Sequence, residues 1–144
     1  MLEFNRKFRY DREMDKEAIP LCNALNSLPG IKTIESCCGH GGEPFRIWFI
    51  VSKTDTGLFF LTRCVDHRYW EYGYLWDITL MIDDLWFKGN KLPVVYMLHS
   101  GPIFGQHAYD QAKSLIANMN THLNHKEFIE YYKLDIKTFK LITK

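Results

Sequence analysis

A chain of 144 residues has the size of one domain and buries roughly two-thirds of its unfolded surface on folding. Hydrophobic residues at 47% and aromatics at 15% exclude a disordered chain, and a formal charge of +1 excludes a global field that draws it to a polyanion. No run reaches the roughly 20 apolar residues of a membrane span, and Met1-Leu2-Glu3-Phe4-Asn5 lacks the layout of a signal peptide, so a cytoplasmic protein with no membrane partner is expected.

In chain order, residues 1–12 read as an edge strand or an arm. Within them Arg6-Lys7-Phe8-Arg9-Tyr10 interleaves base and aromatic, which admits nucleic acid as a partner, although a solvated face is the favoured role. A helix follows, with Asp15 as N-cap, Pro20 in its first turns, Leu21, Leu25 and Leu28 on one stripe, and Pro29-Gly30 as the stop. Ile31 to Cys37 reads as a strand with Ile31, Thr33, Glu35 and Cys37 on one face. Phe45 to Val51 is apolar on both faces apart from Arg46, as a central strand covered on both sides requires. Thr54 or Asp55 caps a second helix with Leu58, Leu61 and Val65 as its stripe and Cys64 and His67 near its end.

Beyond the aromatic cluster Tyr69, Trp70, Tyr72 and Tyr74, strands are expected from about 75 to 82 and from about 94 to 99, joined by a turn at Gly89-Asn90 in a simple meander and closed by Ser100-Gly101-Pro102. A third helix runs from about 106 to 123 on the stripe Tyr109, Ala112, Ile116, Met119 and Leu123. The tail, 124–144, reads as a helical extension. With no repeat or linker in view, one α+β domain spanning 1–144 is expected. Its sheet is mostly antiparallel, of about four strands, with three to four helices packed on it.

Chemistry concentrates where the first strand ends, at Glu35-Ser36-Cys37-Cys38-Gly39-His40-Gly41-Gly42. Glycines let the backbone approach a ligand closely, and successive amides there can form an anion-binding nest. The four cysteines include the vicinal pair Cys37–Cys38, which cannot bridge to itself without strain, so free thiols are expected. Cys37, Cys38 and His40, with the C-x-x-H pair Cys64 and His67, are candidate zinc ligands. Cys38 with His40 is the candidate catalytic pair, a thiol of lowered pKa beside an imidazole. Arg46, the one charge in an apolar strand, needs an anion, either Glu35 on the neighbouring strand or a ligand phosphate. Trp70 offers a stacking platform, and His99 lies at a strand end where it can line the same cleft.

The segments Asn23-Ala-Leu-Asn-Ser-Leu-Pro-Gly-Ile, Glu35-Ser-Cys-Cys-Gly-His-Gly and Pro44-Phe-Arg-Ile-Trp-Phe49, with Arg63-Cys64, Met97-Leu98, Gly101-Pro102, Ala108-Tyr109 and Ala112, resemble a family of small uncharacterised phage and bacterial proteins over roughly residues 19–123. The succession of helix, Ser-Leu-Pro, strand, Ser-Cys and Gly is more distantly similar to the wybutosine-synthesis tRNA methyltransferases, with Cys38 in place of that family's serine and His40 in place of its basic residue. The first resemblance implies the fold and the site. With the loop, Arg46 and the aromatic cluster, it implies a small-ligand-binding protein for a phosphate-bearing nucleotide, a phage-encoded sponge acting in the host cytoplasm as a homo-oligomer. The alternatives are a zinc- or thiol-dependent enzyme on a nucleotide or RNA, and a protein-interaction or inhibitor module.

Overall fold

The computed structural model describes residues 15–66, 76–81, 94–124 and 126–131. A 3-10 turn, Lys16–Ala18, leads into α1 (Ile19–Asn26). The strands β1 (Ile31–Cys37) and β2 (Pro44–Val51) follow, then α2 (Thr56–Val65). Two further strands, β3 (Asp77–Met81) and β4 (Val95–Phe104), precede the long helix α3 (Gly105–Leu123) and the short α4 (Lys126–Tyr131). The strands form one antiparallel sheet in the order β1-β2-β4-β3, and with the helices this is the expected α+β domain.

Local rules account for each boundary. Pro20 lacks an N–H and sits at the start of α1, so the turn before it is 3-10 rather than a continuous helix from Asp15. Asp15 occupies the N-cap position, but its side chain makes no cap hydrogen bond. Asp55 holds the N-cap position of α2 without a side-chain cap bond, and Thr54 just before it accepts the Thr56 N–H on its Oγ1 at 3.2 Å. Gly30 and Gly57 let the strand and helix ends meet, since a Cβ on Gly57 would lie 2.3 Å from the Pro29 carbonyl oxygen.

Three strand expectations are corrected. The alternation along β1 is broken by a bulge between Thr33 and Glu35, which leaves Ile34 buried and sets Glu35 opposite Trp48. The strands expected at 75–82 and 94–99 do pair antiparallel, as β3 and β4, but β4 rather than β3 lies beside β2, so the sheet does not run on in chain order. Ser100-Gly101-Pro102 also does not end β4, which continues to Phe104. Arg46 faces His99 and Pro44 faces Phe104, so the extra residues 100–103 bulge out opposite Phe45. Buried Ser100 clamps this bulge, accepting the Phe45 N–H at 3.0 Å and donating to the Ile103 carbonyl at 2.7 Å.

The two faces of the sheet differ. Phe45, Ile47, Phe49 and Leu98 join the helical residues Leu21, Leu25, Phe60, Leu61, Leu115 and Met119 in the main core. On the other face Ile34, Trp48, Ile50, Val95 and Met81 cluster with one another, and no helix among the described residues joins them. Across the end of that second face, the register aligns Cys37, Arg46, His99 and Asp77, one from each strand. Among the described residues no helix is long and apolar enough to cross a membrane. Residues 1–14 and 132–144, the aromatic cluster 69–74 and the Gly89-Asn90 turn lie outside the described residues.

Candidate metal centre

The loop from Cys38 to Glu43 joins β1 to β2 through three successive left-handed residues, Gly39 (φ 85°), His40 (φ 50°) and Gly41 (φ 86°). Only Gly39 is also sterically compelled: a Cβ there would sit 1.9 Å from the Glu43 carbonyl oxygen, whereas one on Gly41 would meet nothing within 4 Å. The Gly39 carbonyl accepts from the Gly42 and Glu43 N–H groups, closing the turn. The turn brings the His40 ring back toward Cys37.

One ligand atom each of Asp15, Cys37 and His40 lies within 4.8 Å of the others, an oxygen, a sulfur and a nitrogen in one cluster. Asp15 and Cys37 are half-buried and His40 is exposed, so the cluster is open on one side. Each donor is steered from behind. The Cys38 N–H donates to Asp15 Oδ2 at 2.9 Å, which explains why this carboxylate does not cap its own helix. Cys37 Sγ accepts from the Gly39 N–H at 3.4 Å and from Arg46 Nη2 at 3.5 Å, two donors of the kind that support a ligating sulfur. His40 Nε2 stands 3.8 Å from Asp15 Oδ2.

The vicinal thiols diverge, as consecutive extended residues must. Cys38 turns inward, 3% exposed, where its sulfur accepts from the His40 N–H at 3.4 Å and from the Tyr109 hydroxyl at 3.7 Å. Burial, assisted by the Asp15 carboxylate, raises its pKa, the reverse of what an activated nucleophile requires. The sulfur contact, followed by burial, pushes the Tyr109 hydroxyl up to about 12, so it stays a donor. Cys64 is fully buried on the core side of α2, with burial pushing its thiol far up, and takes no part in the cluster. His67, its expected partner, lies outside the described residues, as does Trp70. Among the described residues the cluster thus keeps Cys37 and His40 of the expected set, adds Asp15, and does not include Cys38 or Cys64.

The other expected residues divide by strand face. Ser36 points to the helical side, where its hydroxyl lies by the Cys22 thiol. Glu35 sits across from Trp48, and the carboxylate partner of Arg46 is Glu43, at 2.7 Å, rather than Glu35. The guanidinium also lies over the Trp48 ring, 5.6 Å from its centroid. His99 is held as a specific tautomer: Nδ1 accepts the Gly101 N–H at 3.2 Å, so Nε2 carries the proton it gives to Thr79 Oγ1 at 3.0 Å. His99 therefore borders Arg46 in the register without joining the cluster.

The amides expected to form an anion nest are largely engaged within the chain: Cys38 on Asp15, Gly39 and His40 on sulfur, Gly42 and Glu43 on the Gly39 carbonyl. Asp15 was visible in the sequence only as a capping residue, because its role depends on a contact 23 residues away. No family model matches the chain, and no curated protein or solved structure is significantly similar to it, so its assignment to a function rests on this geometry.

Proposed function

We propose that Asp15, Cys37 and His40 hold a zinc-class divalent ion with one coordination position left for a small molecule, and that the chain is a zinc-dependent enzyme acting on a small polar substrate. The observation that carries this reading is the convergence of carboxylate, thiol and imidazole within 4.8 Å on an open corner. Three protein ligands with an open fourth position is the arrangement of catalytic rather than structural zinc. N–H donors aimed at a ligating sulfur, together with a fixed carboxylate, are the supporting contacts that such ligands need. The ion, when bound, supplies Lewis acidity and lowers the pKa of a coordinated water. Cys38 and Tyr109 serve as the packed floor beneath it.

Sequestration of a phosphate-bearing nucleotide without turnover is the second reading. It draws on Arg46, a half-buried cation beside the cluster, and no longer on the loop amides. Native mass spectrometry of protein purified without chelator tests the first reading. It predicts one zinc-class ion per chain, lost in His40→Ala and Asp15→Asn. A metal-free wild-type protein that also takes up no zinc or cobalt on titration contradicts it.

A further inference from the structure

We infer that Arg46 is an oxyanion subsite, so that the small molecule reaching the open coordination position carries a phosphoryl or carboxylate group; this rests on the metal reading above. Arg46 is placed for that role by two contacts and one unmatched donor. Its Nη2 lies 3.5 Å from the sulfur of Cys37, so an oxygen bound to the guanidinium is next to the metal ligands. Its face is supported by Trp48, which fixes the plane of the fork without using any of its hydrogens. Its Nε is buried with no hydrogen-bond partner, although buried guanidinium hydrogens are ordinarily matched. A bound oxyanion is the acceptor that completes that donor set.

The one carboxylate bonded to Arg46 among the described residues is also the kind that gives way. Glu43 is three residues distant on the turn, with its side chain 65% exposed. An exposed ion pair of this type is weak and exchanges readily with an incoming anion. Glu43 is thus a resident competitor that occupies the fork until an oxyanion displaces it. His99, with both ring nitrogens committed, borders the subsite.

The test uses cobalt(II)-loaded full-length protein titrated with inorganic phosphate in one arm and acetate in the other, read by the cobalt ligand-field bands. The inference predicts saturable perturbation by at least one anion, weakened about tenfold or more in Arg46→Lys, which keeps the charge and loses the fork. It also predicts tightening of about two- to fivefold in Glu43→Gln, which removes the competitor. A merely structural role for Arg46 does not give that gain. Cobalt bands that neither anion perturbs, or anion affinities unchanged in both variants, overturn the subsite while leaving the metal centre standing. Absence of cobalt binding in the wild type removes both.

Discussion

Replacing Gly39 by alanine separates a conformational cost from a steric one, because Gly41 supplies an internal control. Both glycines have nearly the same left-handed φ, 85° and 86°, so an L side chain meets the same backbone penalty, about 1–2 kcal/mol, at either position. Alanine also reduces the entropy of the unfolded chain equally at both, and that contribution cancels in the comparison. Only at position 39 does the new Cβ fall 1.9 Å from the Glu43 carbonyl oxygen, a backbone atom that cannot move without opening the turn. Opening it loses the two hydrogen bonds accepted by the Gly39 carbonyl, about 1 kcal/mol each. Gly39→Ala is therefore expected to cost about 3–4 kcal/mol and Gly41→Ala about 1–2 kcal/mol. Urea denaturation measures both at equal slope. Metal affinity should fall with Gly39→Ala, since the turn returns His40 to Cys37 and Asp15. Equal midpoints for the two variants would refute the steric part of the argument and the loop geometry behind it.

Other outcomes follow from burial and bonding. Ser100→Ala leaves the Phe45 N–H and Ile103 carbonyl without their partner inside the core, and should destabilise by about 2–4 kcal/mol in the same denaturation assay. Burial, offset in part by Ser36, pushes the Cys22 thiol up to about 11. The native state therefore keeps a proton that the unfolded chain releases near pH 9, so stability is full below that pH and declines toward pH 11. The decline attributable to Cys22, on the order of 2–3 kcal/mol, should be missing from the stability-versus-pH profile of Cys22→Ala. In alkylation followed by mass spectrometry, half-buried Cys37 should react first, with Cys22, Cys38 and Cys64 reacting only on unfolding, and stoichiometric zinc should protect Cys37.

Elements governed by short-range rules were legible in the sequence. The stripe Tyr109, Ala112, Ile116 and Met119 specifies α3, and the apolar run Phe45 to Val51 specifies a central strand, because burial on a regular element repeats at a fixed period. The turn after Cys37 was also legible, since clustered glycines mark a chain reversal through left-handed backbone. Three features depended on contacts that no local pattern encodes. Asp15 resembles an ordinary cap until the Cys38 N–H meets its carboxylate. The partner of Arg46 is fixed by the turn, which presents Glu43, and not by the cross-strand register. Cys38 appeared the more reactive thiol from its place beside glycine, yet the bulged strand and α3 enclose it against Tyr109 and leave Cys37 facing the cluster. Strand order likewise escaped a sequence reading, because the pairing of β4 with β2 joins residues about fifty positions apart and no local pattern encodes it.

Cobalt(II) titration of the wild type, Cys37→Ser and Cys38→Ser tests the metal centre most directly, because a thiolate ligand gives a charge-transfer band in the near ultraviolet and a neighbouring thiol does not. The geometry predicts a one-to-one endpoint with that band in the wild type and in Cys38→Ser, and its loss in Cys37→Ser. A band that survives in Cys37→Ser, or that never forms in the wild type, contradicts coordination by Asp15, Cys37 and His40.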